Sequence, residues 1–169
     1  MPLTNRTGIT SLVLDESGNP YIAYYDDLSD DLNLAKKTGG TWTVESIETT
    51  GNVGQYPSLA LDLLGNPVIS YLDRNGFDLK YAAYDGMAWN IETVDATDNV
   101  GHYTSLHVDS VGNIGISYLN VTDRDLKFAF VPTTVVIPAL SPGAKGFLVS
   151  LLFGLSCRRL GGNSKHADR

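Results

Sequence analysis

The chain has 169 residues, 43% of them hydrophobic and 18% charged, a balance that suits one globular domain with a usable core and excludes a disordered chain. The net charge of −7 is unevenly spread: residues 1–134 carry 7 basic and 18 acidic side chains (−11), and residues 135–169 carry 5 and 1 (+4). An acidic body lacks the basic footprint that phosphates need, so nucleic acid is excluded as a partner, and a lone cysteine, Cys157, excludes an intrachain disulfide.

Residues Met1 to Arg6 contain no apolar run of the kind a secretory signal needs, and a repeat begins almost at once. Ser11-Leu12-Val13-Leu14-Asp15 recurs 47 residues later as Ser58-Leu59-Ala60-Leu61-Asp62, and again as Ser105-Leu106-His107-Val108-Asp109. Gly18-Asn19, Gly65-Asn66 and Gly112-Asn113 keep the same register, as do Tyr24, Tyr71 and Tyr118, and then Asp31, Asp78 and Asp125. A fixed period of this size signals a solenoid, propeller or array.

Each unit divides into four short runs. In the middle copy these are Ser58–Leu61, Pro67–Leu72, Leu79–Ala83 and Trp89–Val94. Their period-2 alternation predicts strands. The links carry turn chemistry, Gly65-Asn66-Pro67 after the first run and Asp85-Gly86 after the third, so consecutive strands are antiparallel. Four such strands per unit predict an all-β chain, a partial β-propeller of about 2.7 four-stranded blades. The blades span 8–48, 55–95 and 102–131 within a region 1–131, followed by a Pro-containing linker (132–145) and a hydrophobic anchor with a basic tail (146–169).

The units resemble the blade repeats of bacterial and archaeal extracellular β-propellers, through Ser58-Leu59, Gly65-Asn66-Pro67, Asp78-Leu79-Lys80-Tyr81-Ala82 and Trp89. The third copy loses this pattern after Phe130. A closed ring needs about four to eight blades. Further blades are therefore expected, either because the chain is the C-terminal piece of a longer protein or through self-association.

The tail has three parts in order: Ile137-Pro138-Ala139-Leu140-Ser141, an apolar run from Gly146 to Cys157 expected to be helical near 145–158, and then Arg158-Arg159. That order resembles the C-terminal sorting signals of bacterial surface proteins, of the PEP-CTERM and IPTL-CTERM type. The resemblance implies that Ile137, Pro138, Leu140, Ser141, Arg158 and Arg159 belong to a sorting and anchoring signal separate from the blades. It places the protein in the cell envelope or outside the cell, held to a membrane at least transiently by its C-terminus, with the arginines cytoplasmic.

In an up-and-down blade, the loop between strands two and three and the loop leading to the next blade emerge on one side. That side is polar and differs between copies, and function tends to sit on such loops. Asp26, Asp27, Gln55, Tyr56, Asp73, Arg74, His102 and Tyr103 are the candidate binding residues there. Asp26, Asp27, Asp30 and Asp31 do not have the spacing of a Ca²⁺ loop, and His102 and His107 have no Cys or His partner at zinc-ligand spacing, so no metal or other cofactor is expected. Trp42 and Trp89 recur once per unit and read as packing between blades. No nucleophile elbow, phosphate loop or dinucleotide fingerprint is present. The expected function is that of a non-catalytic surface protein binding a glycan or a protein partner through the loop face. The alternative is a fragment of an extracellular propeller hydrolase or lyase acting on glycans.

Overall fold

The computed structural model describes residues 7–132 and 156–159. The first sheet holds β1 (Thr7–Leu14), β2 (Pro20–Asp26), β3 (Asp31–Thr38) and β4 (Thr41–Glu48). The second holds β5 (Val53–Leu61), β6 (Pro67–Asp73), β7 (Asp78–Tyr84) and β8 (Trp89–Asp95). The third holds β9 (His102–Val108), β10 (Ile114–Asn120), β11 (Asp125–Val131) and β12 (Ser156–Arg159). All three are antiparallel, and strands consecutive in sequence are neighbours in each. No helix occurs among the described residues.

The turns dictate this order. Asp15, Asp62 and Asp109 each accept the backbone N–H two residues on (2.8–2.9 Å) and four residues on (2.8 Å), and each also takes the side-chain amide of the following Asn. Gly18, Gly65 and Gly112 complete the turn at φ +78°, +80° and +89°, where a side chain would be strained. The link between the first and second strand of every sheet is thus closed by its own hydrogen bonds.

Alternation then assigns the faces. Tyr21, Ala23, Leu32, Leu34 and Ile47 of the first sheet pack on Val53, Leu59, Ile69, Tyr71 and Ala82 of the second. Val68, Leu79, Tyr81 and Val94 of the second sheet pack on Val100 of the β8–β9 link and on Leu106, Ile116, Tyr118 and Ala129 of the third sheet. Val68 and Ile69 therefore serve opposite cores, as do Tyr81 and Ala82, and the middle sheet is buried on both sides.

The same polar contacts recur at both joints, 47 residues apart. Glu48 accepts a hydrogen bond from Tyr71 Oη at 2.5 Å and one from Lys80 Nζ. Asp95 accepts them from Tyr118 Oη at 2.7 Å and Lys127 Nζ at 2.9 Å. Burial and the neighbouring Glu48 push the Tyr71 phenol far above its ordinary range, so it stays a donor. Ser11 and Ser58 hydroxyls accept the N–H of Leu59 and Leu106 at 3.0 and 2.9 Å, tying β1 to β5 and β5 to β9. The N–H groups of Val53 and Val100 reach the carbonyls of Asp30 and Phe77 in the preceding sheet, both at 2.9 Å. A glycine follows each of these valines because the backbones meet there: a Cβ on Gly54 would lie 2.7 Å from Leu32 Cα, and one on Gly101 2.9 Å from Leu79 Cα.

Two expectations are corrected. The first strands start earlier than alternation indicates, β5 at Val53 rather than Ser58, because bulges between Val53 and Ser58 break the period and hide it. The helix expected near 145–158 does not extend through Ser156–Arg158, and Ser156–Arg159 is not separate from the sheets. It is β12, paired antiparallel with Lys127–Phe130. The in-register fourth strand would run through Pro138 and Pro142, which lack ladder N–H donors, while β11 presents an edge that needs pairing. Ile137, Pro138, Leu140 and Ser141, and the rest of the apolar run, lie outside the described residues. Among the described residues, no helix is long and apolar enough to cross a membrane.

Two outcomes follow for stability. Gly101→Ala places a Cβ against backbone at φ +81° and should lower unfolding free energy by about 1–3 kcal/mol in urea denaturation. Gly86→Ala, at φ +96° but in open space, should cost less. Hydrogen bonds, led by those from Asn19 and Asn113, hold the Asp15 and Asp109 carboxyls below the usual value of 3.8. A depressed carboxyl stabilises the fold above its unfolded value, and that contribution is lost as pH falls through the folded value. Acid unfolding should therefore steepen below about pH 4, and Asp109→Ala should make stability between pH 4 and 2 less dependent on pH.

Candidate functional site

The loop between β2 and β3, its counterpart between β6 and β7, and the links β4–β5 and β8–β9 lie together at one end of the sheets. Backbones join there: Arg74 N–H of the β6–β7 loop donates to Asn52 O at 2.9 Å, and Val121 N–H of the β10–β11 loop to Asn99 O at 2.8 Å.

Five of the eight candidate residues come together at this end. Tyr56 and Tyr103 stand on the bulged starts of β5 and β9, their ring centroids 4.4 Å apart and their planes tilted by 47°. His102 lies 5.5 Å from the Tyr56 ring and 6.3 Å from that of Tyr103. Arg74, exposed on the β6–β7 turn, donates to Gln55 Oε1 at 3.4 Å. Tyr56 and Tyr103 both have φ +52°, the left-handed region that side chains other than glycine and asparagine rarely adopt. The bulge turns both rings out of the strand alternation, and Tyr103 is exposed.

The other three candidates do not join them. Asp26 is buried at the end of β2 and accepts the Leu28 N–H at 3.0 Å; Asp73 accepts the Asn75 N–H at 2.8 Å and lies 3.9 Å from Lys80 Nζ. Both carboxylates hold their own turns. Asp27 is exposed on the first of these turns.

A supporting layer lies beneath the cluster. His102 Nε2 meets Asn99 Oδ1 at 2.7 Å, an oxygen that makes Nε2 the donor and leaves Nδ1 as an acceptor. Gln55 Nε2 donates to Asn52 Oδ1 at 3.4 Å, and Asn52 Nδ2 to Asp30 Oδ1 at 2.9 Å. The Tyr25 hydroxyl also donates to Asp30. The Thr104 hydroxyl donates to Tyr56 O at 2.8 Å and accepts from Ser70 Oγ at 2.9 Å, fixing β9 to β5 under the rings. Asn52 and Asn99 were missed as site residues, yet a signal was available: Asn-Val-Gly recurs at 52–54 and 99–101 in the two links that carry the tyrosines.

A concavity of about 710 Å³ lies at the opposite end among Val13, Leu61, Leu64, His107 and Val108. Of the three carboxylates that line it, Asp15, Glu16 and Asp62, the two aspartates are engaged within their own turns. Among the described residues no group of three or more His, Cys, Asp or Glu side chains is placed to hold a metal. The aromatic cluster instead offers two inclined rings, one cation, an amide and an imidazole. This set suits an apolar sugar face with hydroxyls at its edge.

No protein-family model matches the sequence, and no curated protein matches it. Among solved structures the chain is similar to a fucose lectin from Kordia zhangzhouensis, determined in complex with methyl-fucoside. The TM-score is 0.52 at 14% identity, covering 75% of this chain and 94% of the lectin chain. The likeness is one of fold.

Burial, and then the Arg74 guanidinium, lower the His102 pKa from its usual 6.5. The folded state therefore disfavours the imidazolium, and stability falls as pH drops from 6.5 through the folded value. NMR titration should find His102 below 6.5, and Arg74→Gln should move it upward.

Proposed function

We propose that the three sheets are blades of an extracellular β-propeller and that the protein binds a glycan through Tyr56, Tyr103, His102, Arg74 and Gln55. One observation carries this reading. Two tyrosines are held in the left-handed region on adjacent bulges, which costs free energy and serves no core, since Tyr103 is exposed. What the strain achieves is a pair of inclined rings beside an amide and a guanidinium. The structural likeness to a lectin solved with methyl-fucoside supports a sugar as the ligand class.

The cell envelope or exterior is the location that goes with this role, supported by the resemblance of the units and of Ile137–Ser141 to surface-protein motifs. In the folded protein Ser156–Arg159 complete a sheet. Anchoring by Gly146–Cys157 therefore belongs to the stage before that strand pairs.

The test is a glycan array probed with the full chain, followed by calorimetric titration of methyl-fucoside and of each glycan retained. An aromatic contact contributes about 0.5–1.5 kcal/mol, so Tyr56→Ala and Tyr103→Ala should each weaken binding roughly two- to tenfold. Asp27→Ala should leave it unchanged. No bound glycan, or binding that survives both tyrosine substitutions, overturns the proposal.

A further inference from the structure

Each joint between sheets has a giving and a receiving face, and one of each keeps exposed apolar side chains where its counterparts are buried. On the receiving side, Leu59 and Leu106 are 7% and 8% exposed, whereas Leu12, at the same place in the unit, is 61% exposed. On the giving side, Leu32 and Leu79 are fully buried at 0%, whereas Leu126 is 54% exposed. On the first sheet Leu14 of β1 continues the exposed patch and Val44 of β4 is exposed on the same face, whereas Tyr24 and Ala35 between them are buried.

Smaller features of the joint are repeated at these two faces. Ser11 and Ser58 each accept a backbone N–H from the next sheet, and Ser105, third in that register, is exposed. Gly54 follows the Val53–Asp73 pair and lets β5 touch Leu32 Cα. Gly8 follows the equivalent Thr7–Asp26 pair in β1, and a Cβ there would meet nothing within 4 Å. The close approach that Gly54 serves has no counterpart at Gly8 within the chain.

Charge identifies the occupant. Lys80 and Lys127 each receive an acid from the sheet in front of them, but the third member of that series is Asn33. An ordinary unit placed before the first sheet would bring its acid to a position with no lysine. The third sheet brings none. Cys157 pairs with Ala129 as Val44 pairs with Ala35 and Ile91 with Ala82, and four residues beyond it, where Glu48 and Asp95 stand in their units, the sequence has Gly161.

We propose that the uncovered face of the third sheet docks on β1 of a second copy of this chain, head to tail, repeating the joint formed twice within each copy. Leu126 of one copy meets Leu12 and Gly8 of the other, and Ser105 accepts the Leu12 N–H. A head-to-tail joint closes a ring when its repeated rotation sums to a full turn, and otherwise runs on as an open helix. With the three sheets formed by the described residues of each copy, two copies give six, within the about four to eight blades of a closed propeller. The inference rests on the blade reading and is independent of glycan binding.

Sedimentation velocity of the full chain tests it. The wild type should run as a dimer. Leu12→Lys and Leu126→Asp, both at exposed positions, should each weaken dimerisation at least tenfold while keeping the wild-type circular dichroism. An equimolar mixture of the two variants keeps one intact joint and pairs Lys with Asp at the other, so it should regain the dimer, as should the double variant. A monomeric wild type, a dimer indifferent to both substitutions, or a mixture that stays monomeric overturns the proposal. A monomer that still binds a glycan overturns the docking alone.

Discussion

Neighbouring sheets in this molecule share a carboxylate: Glu48 and Asp95, each at the end of a fourth strand, are gripped by a tyrosine and a lysine of the sheet that follows. These groups are largely withdrawn from water, so losing either partner would leave a charge with too little compensation. Apolar packing tolerates small slides between two sheets. A carboxylate held by an Oη and an Nζ does not, because both bonds have directions. The acid stands immediately before the link to the next inner strand, so fixing it also fixes Asn52 and Asn99, and through them the aromatic cluster.

Most of the architecture was legible because the repeat is gapless. Gly65-Asn66-Pro67 and Asp85-Gly86 marked turns, and alternation in Pro67–Leu72 and Leu79–Ala83 marked strands buried on one face or both. The two failures have physical causes. A bulge inserts residues that obey no period, so Val53–Tyr56 read as loop. Strand β12 is chosen by an open edge far away in sequence, and a Leu-rich segment with basic ends carries no local sign of that edge.

The candidate site was partly legible for a related reason. Loop position singled out Gln55, Tyr56, Arg74, His102 and Tyr103, and spatial adjacency follows from the repeat, because residues 47 apart in neighbouring units are close wherever inner strands touch. The carboxylates Asp26 and Asp73 misled because polarity on a loop has two uses. An acid that accepts N–H groups two or three residues on is closing its own turn, and the sequence alone does not distinguish that from an acid aimed at a ligand.

The remote origin of β12 bears on the order in which the molecule is made. Gly39 and Gly40 alone connect β3 to β4, whereas 24 residues separate Val131 from Ser156. Closing the longer link costs roughly 2 kcal/mol more chain entropy, and in return it secures only a four-residue strand on an outer edge. During synthesis, β1 to β11 precede Ser156–Arg159, so the third sheet is three strands wide until that segment joins it. Its last strand is the one whose amides should exchange with solvent soonest.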